Sequence, residues 1–142
     1  MRKIICLFFL LFSVLSLKSE NIFVLQEKDS SIYNQNWVLD RLNNRKINYQ
    51  QGQEKITLII TSENEYASGS AGCNTYVGQV IVKRNYILFR DIGTTKMACP
   101  EQSLQTERIY LNNLNDIDSW AIIDEDLYLY KNGRPVLIFS KE

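Results

Sequence analysis

Residues 119–139 read SWAIIDEDLYLYKNGRPVLIF. Three short runs, SWAII, DLYLY and PVLIF, are rich in β-branched and aromatic residues, and apolar side chains recur at every second position of DLYLY. That is the period of a strand with one face buried. The runs are separated by Asp124-Glu125 and by Asn132-Gly133. Asn-Gly tolerates positive φ at both central positions of a two-residue turn, and that backbone twist matches the twist of the flanking strands. The stretch therefore predicts an antiparallel meander.

The same rhythm extends upstream. The segments EYASGS (65–70), TYVGQVIVK (75–83) and NYILFRD (85–91) favour strands and are divided by turn formers at 71–74 and at Arg84-Asn85. Before them, Ile56, Leu58 and Ile60 alternate with threonines, and Trp37 and Leu39 share a face. Asn43-Asn44 and Gln51-Gly52 supply turns between these two segments. One stretch breaks the pattern. Pro100 suits the first turn of a helix, Glu101 suits its positive end, and Leu104, Leu111 and Leu114 recur at helical spacing up to about Asn115. The expected fold is α+β but mostly β: one small domain, residues 36–142, of about seven or eight antiparallel strands in a curled sheet or partial barrel, with one helix packed on it. Residues 20–35 are expected to form a leader, with a short strand around Ile22 to Leu25.

At the N-terminus, Arg2 and Lys3 precede an uncharged apolar run from Ile4 to Leu17, and polar residues follow. This is the plan of a secretory signal. As a helix the run would reach about 21 Å, short of the roughly 30 Å of hydrocarbon in a bilayer. Cleavage is expected after Ser19, leaving no integral membrane span. A lipoprotein would carry a cysteine directly behind the run, whereas Lys18 stands there and Cys6 lies inside it. The expected product is soluble, monomeric and periplasmic or secreted.

Removing residues 1–19 takes away Arg2, Lys3 and Lys18 and leaves 13 basic against 16 acidic residues, a net charge of −3. No basic run remains to neutralise several phosphates, so nucleic acid is not an expected partner. Cys73 and Cys99 are then the remaining cysteines, and an oxidising compartment favours a bridge between them. Closing a loop of that length is worth roughly 3.5 kcal/mol in the chain-entropy model. Two reduced structural thiols and a redox-active pair are the competing readings.

The chain contains no histidine. This removes the usual general base, the commonest zinc ligand and the Ser-His and Cys-His nucleophile pairs. The carboxylates Asp116 and Asp118, and Asp124 with Asp126, lie in expected turns, where acids cap and solvate. Asp124 to Asp126 lack the glycine and distal glutamate of a calcium loop, and no lysine-serine pair follows Gly69, Gly72 or Gly78 as a phosphate loop requires. No catalytic residue, metal site or cofactor is expected. Glu107 projects near the leucine stripe of the helix and is read as sitting at its edge, reaching solvent or a local partner. Trp37, Tyr76, Trp120, Tyr128 and Tyr130 are expected to divide between core and surface.

Two motifs follow in order: Ala71-Gly72-Cys73-Asn74-x-Tyr76-x-Gly78, and Thr94-Thr95-x-Met97-Ala98-Cys99. With Trp37-x-Leu39, Glu107-x-x-Tyr110-x-x-x-Leu114, Leu127-x-Leu129 and Leu137-x-Phe139, they resemble the META domain family, which includes the bacterial heat-shock protein HslJ. The likeness spans roughly residues 36–141. It implies a small antiparallel β domain with one helix, no cofactor and no established catalysis, in exported proteins linked to stress and to novobiocin tolerance. Gly72 and Asn74 would allow positive φ in a tight turn presenting Cys73, and a bridge to Cys99 would staple the helix start to the sheet. Asn74, Thr94, Thr95 and Met97 would outline a small recognition surface beside that staple. The resulting expectation is a non-enzymatic envelope protein acting on an unknown envelope protein or ligand, with a periplasmic small-ligand carrier or inhibitor as the alternative.

Overall fold

Alternating burial along the chain sets the architecture. In the computed structural model, which describes residues 32–142, the strands are β1 (Trp37–Leu42), β2 (Arg45–Lys46), β3 (Thr57–Ile60), β4 (Tyr66–Ser70), β5 (Thr75–Lys83), β6 (Tyr86–Thr94), β7 (Ser119–Ile123), β8 (Asp126–Lys131) and β9 (Arg134–Lys141). The single helix among the described residues, α1 (Glu101–Asn115), lies between β6 and β7. The expected signal at 1–19 and the short strand around Ile22 to Leu25 lie outside the described residues. No helix among the described residues is long and apolar enough to cross a membrane.

All pairings are antiparallel, and the sheet curls until β9 meets β1 through pairs from Trp37↔Lys141 to Leu42↔Leu137. One edge of β1 is shared: Trp37 and Val38 pair with β3, while Arg41 and Leu42 pair with β2. The two-residue β2 raises the number of strands to nine and is a short appendage to the curl. The curl is uneven where β6 meets β7, because a single pair, Tyr86↔Ser119, joins them. Past that point β6 runs on beside α1. A helix laid there covers a strand edge that would otherwise present unpaired backbone groups.

The turns follow their chemistry. Asn132 and Gly133 both take positive φ, 52° and 73°, as the Asn-Gly signal requires. Asp124 and Glu125, and Asn43 and Asn44, adopt the same left-handed pair without glycine. Asp116 and Asp118 serve the neighbouring hairpin. Asp116 meets Lys131 at 2.6 Å, and Asp118 accepts from the Ser119 hydroxyl and from Asn132 N–H, each at 2.6 Å. Those two hydrogen bonds hold the Asp118 carboxyl below its usual range.

The core is the inside of the curl. Trp37, Leu39, Leu58, Ile60, Ile87, Phe89, Leu127, Leu129, Leu137 and Phe139 come from the strands, and Tyr110 and Leu114 come from α1. Ile32 and Tyr33 also belong to it, and Trp37 Nε1 donates to the Ile32 carbonyl at 3.0 Å. The packed unit therefore takes in Ile32 and Tyr33, which lie within the leader expected over 20–35. Trp37, Tyr76 and Trp120 are buried, whereas Tyr128 and Tyr130 stack on each other on the outer face, 6.4 Å between ring centres.

Candidate functional site

The helix presents Glu107, Tyr110 and Leu114 to the interior, and Leu104 and Leu111 are only half-buried. Its inward face is thus turned toward Glu107, and the reading of Glu107 as an edge residue reaching solvent is corrected: it is 7% exposed. Its charge is met by hydrogen bonds. Glu107 Oε2 accepts from the Asn74 backbone N–H at 2.8 Å, and the Asn74 side-chain amide donates to Oε1 at 2.9 Å and to Oε2 at 3.2 Å. A carboxylate receiving a backbone N–H and an amide in this way is among the stronger hydrogen-bonded arrangements available without a cation.

Asn74 completes the network from its other side. Its Oδ1 accepts from Met97 N–H at 2.7 Å and from the Thr95 hydroxyl at 3.0 Å, while Thr95 Oγ1 accepts from Thr75 N–H at 3.1 Å. The turn preceding β5 is in this way tied to the segment after β6 and to the helix, through one side chain. Cys73 and Cys99 lie at disulfide-bonding distance, with Cα atoms 6.2 Å apart and 26 residues between them in sequence. Gly72 takes the positive φ expected of the turn, +98°, but Asn74 does not. The value of asparagine at 74 is therefore its three-way side chain and not its tolerance of left-handed backbone.

These contacts revise the expected recognition surface. Asn74 is 3% exposed and engaged on every side, so no partner reaches it. Thr94, Thr95 and Met97 remain on the outside, with Met97 61% exposed. Deeper in, Tyr76 donates to the Thr57 carbonyl at 2.8 Å, its hydroxyl lies 2.7 Å from that of Tyr110, and the rings meet edge to face. Burial pushes both phenols above their ordinary range, so they serve as neutral hydrogen-bonding groups at physiological pH.

A groove of about 1060 Å³ lies beside this network. One wall is the segment from Asn43 to Glu54, and the other is the first half of α1 through Gln102, Ser103, Thr106 and Ile109. Gly72 and Pro100, each next to a cysteine of the pair, line it between the walls. Sequence reasoning missed this groove because residues 47–54 show no periodicity, and only the fold sets them opposite the helix. Among the described residues, no group of three or more His, Cys, Asp or Glu side chains converges as a metal site would require.

The sequence model of the META domain matches residues 30–142. The chain belongs to the META domain family. No curated protein matches it. Two solved structures share its fold. A protein from Burkholderia xenovorans, determined by NMR, superposes with a TM-score of 0.66 at 26% identity, covering 80% of this chain and 86% of that one. A second NMR structure gives a TM-score of 0.62 at 16% identity, covering 78% and 92%. The META domain match opens at residue 30, in keeping with the burial of Ile32 and Tyr33.

Proposed function

We propose that this META domain chain is a non-enzymatic, exported envelope protein of the HslJ type, associated with stress, that acts by binding a ligand in the groove between residues 43–54 and α1. The observation that carries this reading is the inward use of the motif's polar groups. Asn74, Glu107, Tyr76 and Tyr110 are spent on one another and on nearby backbone, while the groove beside them stays open. Catalysis needs a nucleophile or acid-base group that can reach substrate. Here the buried ionisable groups are turned away from the groove and partnered. The cysteine pair supports an oxidising compartment, and the basic N-terminus with its apolar run supports export.

The carrier alternative is favoured specifically by the presence of this groove beside the cysteine pair. A single fractionation experiment tests the proposal. Expressed from its own coding sequence in a Gram-negative host, the chain is expected in the periplasmic fraction, shortened by the signal, with both cysteines unreactive to alkylation until reductant is added. Recovery of full-length chain in the cytosol, a mass increment from lipid, or a hydrolytic activity that co-purifies with the folded protein would overturn it.

A further inference from the structure

The groove is built unlike a site for a charged ligand. Its charged lining groups among the described residues are Arg45, Lys46 and Glu54, which are exposed, and Lys46 is already 3.8 Å from Asp40. The dominant chemistry is carboxamide, from Asn43, Asn48, Gln50, Gln51, Gln53 and Gln102. Among the described residues, only Gln53 of this set uses its side chain within the protein, accepting from Gln50 N–H at 3.0 Å. Each free carboxamide offers two donors and an acceptor on one planar group. That pattern matches hydroxyl groups, which both donate and accept, better than it matches phosphates or ammonium groups.

The apolar part of the groove has the complementary form. The Tyr49 hydroxyl is turned inward, donating to the Leu39 carbonyl at 2.9 Å and accepting from Ile56 N–H at 3.2 Å, so its half-buried ring serves as wall. Ile109, 40% exposed, contributes a second apolar surface from the helix. A sugar ring carries C–H faces and a rim of hydroxyls, and a cleft with a few apolar surfaces among convergent polar groups suits it. An extended peptide is less well served. The nearest strand, β2, is two residues long, which at about 3.3 Å per residue offers too short an edge for strand addition.

We propose that the groove between residues 43–54 and the first half of α1 binds an uncharged oligosaccharide. This rests on the reading of the chain as a groove-binding protein and names its ligand class. The test is titration of the purified, isotope-labelled chain, cysteines oxidised, with chitotetraose, cellotetraose and maltotetraose, followed by backbone amide shifts. At least one sugar is expected to give saturable shifts confined to residues 43–54 and 100–109, with a dissociation constant of about 1 mM or tighter. The double variant Gln51→Ala/Gln102→Ala should weaken that binding about tenfold or more while leaving the core spectrum unchanged. Gln79→Ala, on an exposed position of β5, should not weaken it. Absence of saturable shifts with every sugar, shifts centred elsewhere, or indifference to the double variant overturns the proposal. An uncharged decapeptide that shifts the groove amides where no sugar does would also overturn the sugar assignment, yet leave the groove-binding reading standing.

Discussion

Replacing Glu107 by alanine tests the network that joins the helix to the turn at 71–74. The carboxylate receives both the Asn74 backbone N–H and its side-chain amide. Asn74 is 3% exposed, so the substitution leaves two buried donors without an acceptor. Each such donor costs about 1–3 kcal/mol, and partial entry of water offsets some of this, so the loss is expected at about 3 kcal/mol. With a urea slope of about 2 kcal/mol per molar, the unfolding midpoint falls by roughly 1.5 M. The isosteric Glu107→Gln keeps the packing but presents an N–H where one acceptor stood, and should cost about 1–2 kcal/mol. Combining Glu107→Ala with Asn74→Ala should cost less than the sum of the single changes by at least about 1 kcal/mol, because the second removes the side-chain amide the first had orphaned, while the backbone N–H at 74 lacks its acceptor in the single Glu107 variant and in the double alike. A loss below about 0.5 kcal/mol for Glu107→Ala, or strict additivity in the double variant, would refute the role given to this pair.

Three other perturbations probe separate parts of the fold. Cys99→Ser, measured by urea unfolding against the oxidised chain, should cost about 2–4 kcal/mol and should leave Cys73 open to alkylation. Gly69→Ala should cost more than about 3 kcal/mol, because its Cβ would overlap the Thr57 carbonyl oxygen and lie 2.7 Å from the Thr57 carbonyl carbon; Gly93→Ala, with nothing within 4 Å, is the near-neutral control in the same assay. Burial raises the Tyr76 and Tyr110 phenols above the ordinary value of 10.0, so the unfolded chain releases these protons first and their contribution to stability, constant below that pH, should fall as pH climbs above it. Tyr110→Phe should flatten that decline, as followed by phenolate absorbance during unfolding at each pH.

The strands and the helix were legible because their signals are local. Alternation in DLYLY, the Asn-Gly turn and the Pro100-Glu101 start each state a backbone preference within a few residues, and the elements formed there. The burial of Glu107 is hidden from the sequence for a physical reason. A carboxylate on an apolar stripe is normally pushed to the edge by desolvation, and the group that compensates it, Asn74, stands 33 residues earlier in the chain. The motif containing Asn74 was visible, but spacing alone does not distinguish an asparagine chosen for its backbone from one chosen for its side chain. The burial of Ile32 and Tyr33 is not legible in the sequence, because a two-residue apolar contribution has no period. The groove was illegible throughout, since its walls come from segments about 50 residues apart and one of them lacks regular structure.

On this reading the cysteine motifs are a structural fastening, which holds α1 against the curled sheet and so shapes the groove. Native-state hydrogen exchange on the oxidised chain, on Cys99→Ser and on Glu107→Ala measures this most directly. The Asn74 amide and the α1 amides around Tyr110 are expected to be strongly protected in the oxidised chain, and each variant is expected to lower their protection more than that of β8 and β9. Equal loss of protection across helix and sheet, or an Asn74 amide that exchanges freely in the oxidised chain, would contradict it.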